Sequence, residues 1–177
     1  MNKIIAILFF VFALLFIGSL KANGQDRNDY HGSVNAEFLV GVTGYAKDYS
    51  YKSVGIAAGY GKMMNNSSYI GMGIKPNYIF SDGDFDGFFM PVYGEYKFQP
   101  ISEAGVRGFG DARIGYSPVS KKGMYAHLGA GIIIYQKWEL GFGVSYQFAK
   151  FTETWADETY HTDYNLVFST LSVGYRF

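Results

Sequence analysis

His127, Ser145 and Glu139 fall on one parity of two consecutive alternating segments, so they could offer one another a base, a hydroxyl nucleophile and a carboxylate. Nucleophilic catalysis needs base and nucleophile within hydrogen-bond reach. All three sit on the polar parity, away from any apolar substrate, and Leu128-Gly129 follows His127 with no His-x-Ser pairing. Satisfaction of His127 by Arg113 and Gln147 is the sounder reading, so no catalytic residue and no enzyme is expected. Asp82, Asp84, Asp86 and Gly87 match the opening of a calcium loop, where alternate carboxylates and a Gly turn surround a hard cation. The twelfth position is Tyr93 instead of Glu, which favours an acidic turn. Asp157, Glu158, His161 and Asp163 read as a solvated loop before they read as metal ligands. No metal or cofactor is called for.

The remaining charges alternate with apolar residues, and that period of two defines the elements. Turn signals divide the chain into eight segments, about 33–46, 51–62, 67–80, 87–99, 104–117, 123–136, 138–154 and 161–177. One face carries residues such as Val34, Phe38, Ile56, Met72, Ile114, Leu128 and Phe142. The other carries Glu37, Lys75, Glu95, Lys97, Arg107, Asp111, Arg113, His127, Glu139 and Arg176, interspersed with glycines. No segment has a helical period. The expected fold is all-β, an eight-stranded antiparallel up-and-down transmembrane β-barrel.

Length and composition agree. Residues 1–24 read as a cleaved secretory signal peptide: Lys3, an apolar run from Ile4, then Ala22 and Gly24 at the small positions before Gln25. The competing reading is an uncleaved membrane helix, which nothing downstream needs. No Cys follows the run, so no lipid anchor is expected. Residues 25–32 read as a short periplasmic polar tail and 33–177 as the barrel. Loss of Lys3 and Lys21 leaves 13 basic residues against 15 acidic, no footprint for nucleic acid. Zero cysteines rule out a disulfide scaffold. Aromatics make up 19% of the chain and glycines number 23, while the mean hydropathy is +0.00. Apolar residues spread over alternating positions produce this combination.

A soluble lipocalin-like barrel has the same period with its faces exchanged. Aromatics near segment ends argue for the membrane, since they resemble two interfacial girdles. Tyr60, Tyr96, Phe98, Trp138, Tyr175 and Phe177 would form one rim; Tyr45, Phe80, Phe88, Tyr116 and Trp155 the other. The alternating end Leu171, Val173, Tyr175, Phe177 resembles the terminal signal read by the barrel assembly machinery. A Lys or Arg on the lipid face near the midplane costs about 2–4 kcal/mol, so the charged face must point inward. An eight-stranded barrel is just wide enough for side chains to fill, which predicts a packed polar interior.

With these features the chain resembles the small eight-stranded outer-membrane barrels of the outer-membrane protein A and X class. The resemblance implies the outer membrane of a Gram-negative bacterium, termini in the periplasm and four loops outside. No periplasmic domain follows the barrel, so a peptidoglycan tether is not expected. The partners implied are outer-membrane lipid, the assembly machinery and an extracellular or envelope protein.

Two register pairs are expected: Glu95 opposite Arg107, if the turn near residue 101 is tight, and Arg113 opposite His127. Pro76 and Pro91 sit at one height on adjacent strands, and proline is rare inside a sheet. Residues 77–90 are therefore expected to project as a hairpin whose Tyr78, Phe80, Phe85, Phe88 and Phe89 are candidates for partner contact. Residues 150–163 are expected to form a second projection. The function expected is a non-enzymatic barrel that is structural, presents its loops to a partner, or both. A narrow porin-like conduit is the alternative, and a lipid A-modifying enzyme stands behind it.

Overall fold

Wherever apolar residues alternate with polar or small ones, the chain forms strand. The computed structural model describes residues 30–43, 51–80, 86–100, 105–119, 122–155 and 158–177. Ten runs appear: β1 (Tyr30–Thr43), β2 (Lys52–Met63), β3 (Ser68–Ile74), β4 (Asn77–Phe80), β5 (Gly87–Phe89), β6 (Val92–Phe98), β7 (Val106–Ser117), β8 (Gly123–Ile134), β9 (Trp138–Trp155) and β10 (Glu158–Arg176). They make eight staves. β3 and β4 are one stave interrupted at Lys75-Pro76, and β5 and β6 are one interrupted at Met90-Pro91. Every neighbouring pair is antiparallel, and β1 closes the sheet by pairing with both β2 and β10. The expected up-and-down barrel is therefore the observed one. β1 starts three residues earlier than expected, because Tyr30, His31 and Gly32 pair with Lys62, Gly61 and Tyr60. Those residues belong to the wall instead of a polar tail; residues 1–29 lie outside the described ones.

The faces follow the alternation. Phe38, Ile70, Met72, Ile114, Leu128, Phe142 and Leu171 are exposed on the outside, Leu128 at 70%. The inward positions between them are buried, polar or glycine. Short turns at 64–67 and 135–137 join β2 to β3 and β8 to β9 at the end that holds the start of β1 and the end of β10, here the terminal end. One of them, Ile134–Lys137, is closed by the Lys137 amide donating to the Ile134 carbonyl at 3.1 Å. Its two central residues, Tyr135 and Gln136, have φ of 49° and 60°. Ile134 pairs with Trp138, so three residues make the connection, and its two left-handed positions are built here without glycine.

At the opposite, loop end the staves differ in length. β9 has its last partner on β8 at Gln147, and β10 its last on β1 at Val167. Beyond those points, among the described residues, β9 and β10 pair only with each other, from Phe148↔Asn165 to Trp155↔Glu158. At about 3.4 Å per residue this ribbon extends roughly 25 Å along its strands past its last described partners on β1 and β8. The projection expected at 150–163 is present.

Candidate functional site

The interior is built by the inward parity of the staves. Of the ten residues expected there, Glu37, Lys75, Glu95, Lys97, Asp111, Arg113, His127, Glu139 and Arg176 are buried. Arg107 is half-buried at the terminal end, and its buried Nε has no hydrogen-bond partner. The nine form a continuous chain along the lumen. Lys75 Nζ lies 2.6 Å from Glu37 Oε2, and Arg113 Nη1 donates to Glu37 Oε1 at 2.6 Å. Arg113 Nε donates to Glu95 Oε1 at 3.1 Å and lies 3.0 Å from Asp111 Oδ2. Lys97 stands 3.8 Å from Glu95 and donates to both oxygens of Glu139, at 3.0 and 2.9 Å. Arg176 continues from Glu139 (3.3 Å) to Gln99 (3.0 Å). Four carboxylates and four cations thus neutralise one another, and charges buried without partners would be costly. Lys75, Lys97 and Arg113 also lie over the rings of Tyr125, Phe109 and Tyr93.

One register pair needs correction. Glu95 lies opposite Arg113, not Arg107, and Lys97 lies opposite Asp111. The connection after β6 is longer than a tight turn at 101, since β7 begins only at Val106. Alternation cannot choose between the two alignments, because they differ by six residues and any even slip keeps every side chain on its face. Charge can: the observed register opposes two pairs of unlike charges and the expected one only one. Arg113 does lie opposite His127, as expected.

His127 is held differently from the expectation. Its Nδ1 is 2.9 Å from Ser145 Oγ, its register partner, and its Nε2 is 3.7 Å from Asp111. Ser145 Oγ in turn is 2.8 Å from Thr170 Oγ1. Arg113 and Gln147 do not satisfy it; both amide atoms of buried Gln147 lack partners. Carboxylate, imidazole and hydroxyl meet here, with Ser145 fully buried. Glycine makes the space: a Cβ at Gly129 would stand 2.6 Å from His127 Nε2 and 2.7 Å from Asp111 Oδ1.

The polar interior does not reach the loop end, which corrects the expectation of a wholly polar core. Leu39, Tyr51, Ala57, Ile79, Phe89, Tyr93, Tyr125, Leu166 and Phe168 form one buried cluster across the lumen. Phe89, expected at an exposed tip, is part of it and fully buried. Residues 77–80 are wall, not projection, because β4 pairs with Lys52–Gly55 of β2. Of the other contact candidates, Phe80 is exposed, Tyr78 and Phe88 are half-buried, and Phe85 lies outside the described residues. Tyr78 and Phe80 pack edge to face, 4.9 Å between ring centres. At the terminal mouth, the recess lined by His31, Gly32, Ser33, Tyr69, Lys97 and Arg176 has no room for a water-sized sphere.

The girdle at the terminal end is exposed at Tyr60, Tyr96, Phe98, Trp138 and Phe177, with Trp138 and Tyr175 packed edge to face at 5.3 Å. On the loop rim Tyr116 and Phe80 are exposed, while Tyr45 and the Trp155 side chain fall outside the described residues. Leu171, Val173 and Phe177 face outward, and Phe177 exchanges main-chain hydrogen bonds with Gly32. Of the calcium-loop residues, Asp82 and Asp84 lie outside the described ones and Asp86 is exposed. Asp157 and the side chains of Glu158 and His161 are likewise outside, and Asp163 is exposed.

A closed eight-stranded barrel with an apolar exterior and an ion-paired interior is a transmembrane barrel of the outer-membrane type. Among solved structures the chain is similar to Neisserial surface protein A, at 12% identity and a TM-score of 0.61, over 83% of this chain and 95% of that one. It is also similar to outer membrane protein OprG from Pseudomonas aeruginosa, at 11% identity and 0.50, over 87% and 98%. Outer membrane protein AlkL matches at 12% identity and 0.50, over 89% and 93%. These likenesses carry the fold. No protein-family model matches the chain, and no curated protein sequence does.

Proposed function

We propose that this barrel resides in the outer membrane of a Gram-negative bacterium as a non-enzymatic protein that presents its loop end to a partner. The observation that supports this reading is the contrast between its two ends. The lumen is filled by paired charges and capped by an apolar cluster, while the outer part of the β9–β10 ribbon, from Lys150↔Asp163 to Trp155↔Glu158, pairs with no other strand among the described residues. Unpaired strand edges bind extended segments by adding a strand, with main-chain hydrogen bonds supplying affinity. Photo-crosslinkers placed in intact cells at Thr154, in the ribbon, and at lipid-facing Leu128 test it. A discrete protein adduct from Thr154 alone is the expected result. Removal of residues 151–162 should abolish that adduct and leave a barrel that still migrates differently when boiled. Clean negatives at both positions would overturn the partner reading.

A narrow conduit is the second reading, favoured by the unbroken line of charged side chains from Lys75 to Arg176. It requires conductance in planar bilayers whose ion selectivity changes on charge reversal at Glu95.

A further inference from the structure

Pro76 and Pro91 each delete one identifiable hydrogen bond at the same height. In an antiparallel sheet, directly opposed residues exchange two N–H···O bonds when they form a hydrogen-bonded pair. Lys75 N donates to Pro91 O at 2.9 Å, but Pro91 has no N–H to return to Lys75. Ile56 N donates to Pro76 O at 3.0 Å, and Pro76 has none to return to Ile56. One step further, Met90 N donates to the Ser117 hydroxyl at 3.1 Å instead of to a main-chain carbonyl. Three adjacent ladders are therefore weakened along one line around the wall. The register is the same on both sides of it: Ile74↔Val92 below continues as Asn77↔Phe89 above.

Above that line stands the β4–β5 hairpin. β5 pairs with β4 and with no other strand among the described residues, since β6–β7 pairing ends at Val92↔Tyr116. The hairpin carries two inward side chains, Ile79 and Phe89, both fully buried in the apolar cluster that closes the lumen. Below the line, Lys75 holds Glu37 of β1 at 2.6 Å, which anchors the stave at the hinge. The hairpin thus stands above weakened ladders and is held to β2 by the four pairs from Lys52↔Phe80 to Gly55↔Asn77. It has no strand on its β5 edge among the described residues, and it supplies two of the nine side chains that close the lumen.

We propose that β4–β5 is a hinged plug, which unzips from the short β2 ladder and pivots at Pro76 and Pro91 to open the loop end of the lumen. Opening withdraws Ile79 and Phe89 and admits water to the layer at Lys75, while the ion pairs below hold the barrel closed. This goes beyond the partner-presenting reading and does not depend on it.

The chain has no cysteine, so single thiols report access without background. Ala57 is fully buried in the cluster, and the β2–β3 register carried on from Ala58↔Ile74 sets it level with Lys75, just under the hinge. Gln99, buried at the terminal end, serves as control. In vesicles, labelling of A57C by a charged methanethiosulfonate should slow about tenfold in Pro76→Ala/Pro91→Ala, which restores the two donors. It should quicken at least tenfold in Phe89→Ala, with labelling of Q99C unchanged in both backgrounds. Equal A57C rates with and without the prolines would overturn the hinge, and so would parallel changes at Q99C, which would mean that the whole barrel loosens. If Phe89→Ala does not give a heat-modifiable barrel, the proline comparison decides alone.

Discussion

Arg113 is the cation on which most of the interior converges, touching Glu37, Glu95 and Asp111. Removing it leaves three buried carboxylates short of a partner, so Arg113→Ala should cost about 3–5 kcal/mol of barrel stability in a urea titration on lipid vesicles. A paired replacement should behave differently. Lys97→Met alone removes the two shortest contacts of Glu139 and leaves it, among the described residues, only Arg176 at 3.3 Å, so it should be destabilising, whereas Lys97→Met with Glu139→Leu exchanges an ion pair for apolar contact. The double variant should recover most of the loss, and additivity of the two single effects would contradict the pairing. Much at this scale was legible in the sequence. The charged residues could be assigned inward because each lies on the parity opposite an apolar run, and the lipid face excludes them. Their pairing is not legible from alternation, which survives any even slip; the matched charges of Glu95 with Arg113 and Lys97 with Asp111 are the usable signal. The apolar cluster also left a trace that alternation obscures. Phe38-Leu39-Val40, Phe88-Phe89 and Leu166-Val167-Phe168 are apolar on both parities, as expected of strand with apolar surroundings on both faces.

At the scale of elements, the Ile134–Lys137 turn holds two L-residues at positive φ, a conformation costing roughly 1–2 kcal/mol per residue outside glycine, Asn and Asp. Gln136→Gly should therefore raise the stability of the folded barrel by about 1 kcal/mol, read as a higher urea midpoint with an unchanged slope. Strand existence was plain in the sequence because Gly, Pro and Asp/Asn clusters punctuate each alternating run. The prolines do not mark the point where the chain leaves the wall. Their height on neighbouring staves was correct, but a break in hydrogen bonding does not require the chain beyond it to leave the wall. β4 keeps its register on β2, and inward Ile79 and Phe89 give the hairpin a buried place to sit. The long ribbon of β9 and β10 could be anticipated from segment length alone, because those two runs continue past where their neighbours turn.

Over the whole molecule, one physical requirement orders everything else: a sheet that crosses a bilayer must satisfy its backbone internally and keep its charges off the lipid. Closure of β1 on β10 meets the first condition, and the inward ion-pair chain meets the second. A charge placed on the outer wall should therefore be expensive, and Leu128→Lys should cost about 2–4 kcal/mol if Leu128 lies near the midplane. The central claim is that the apolar face is the lipid-facing one, and single-cysteine fluorescence tests it most directly. An environment-sensitive bimane is attached in turn at Leu128, Ile114 and Phe142, and the protein is folded into vesicles. Quenching by brominated acyl chains, with little effect of aqueous iodide, is the predicted result at all three positions. Quenching by iodide with indifference to brominated lipid would mean that this face meets water, and the membrane barrel would be contradicted.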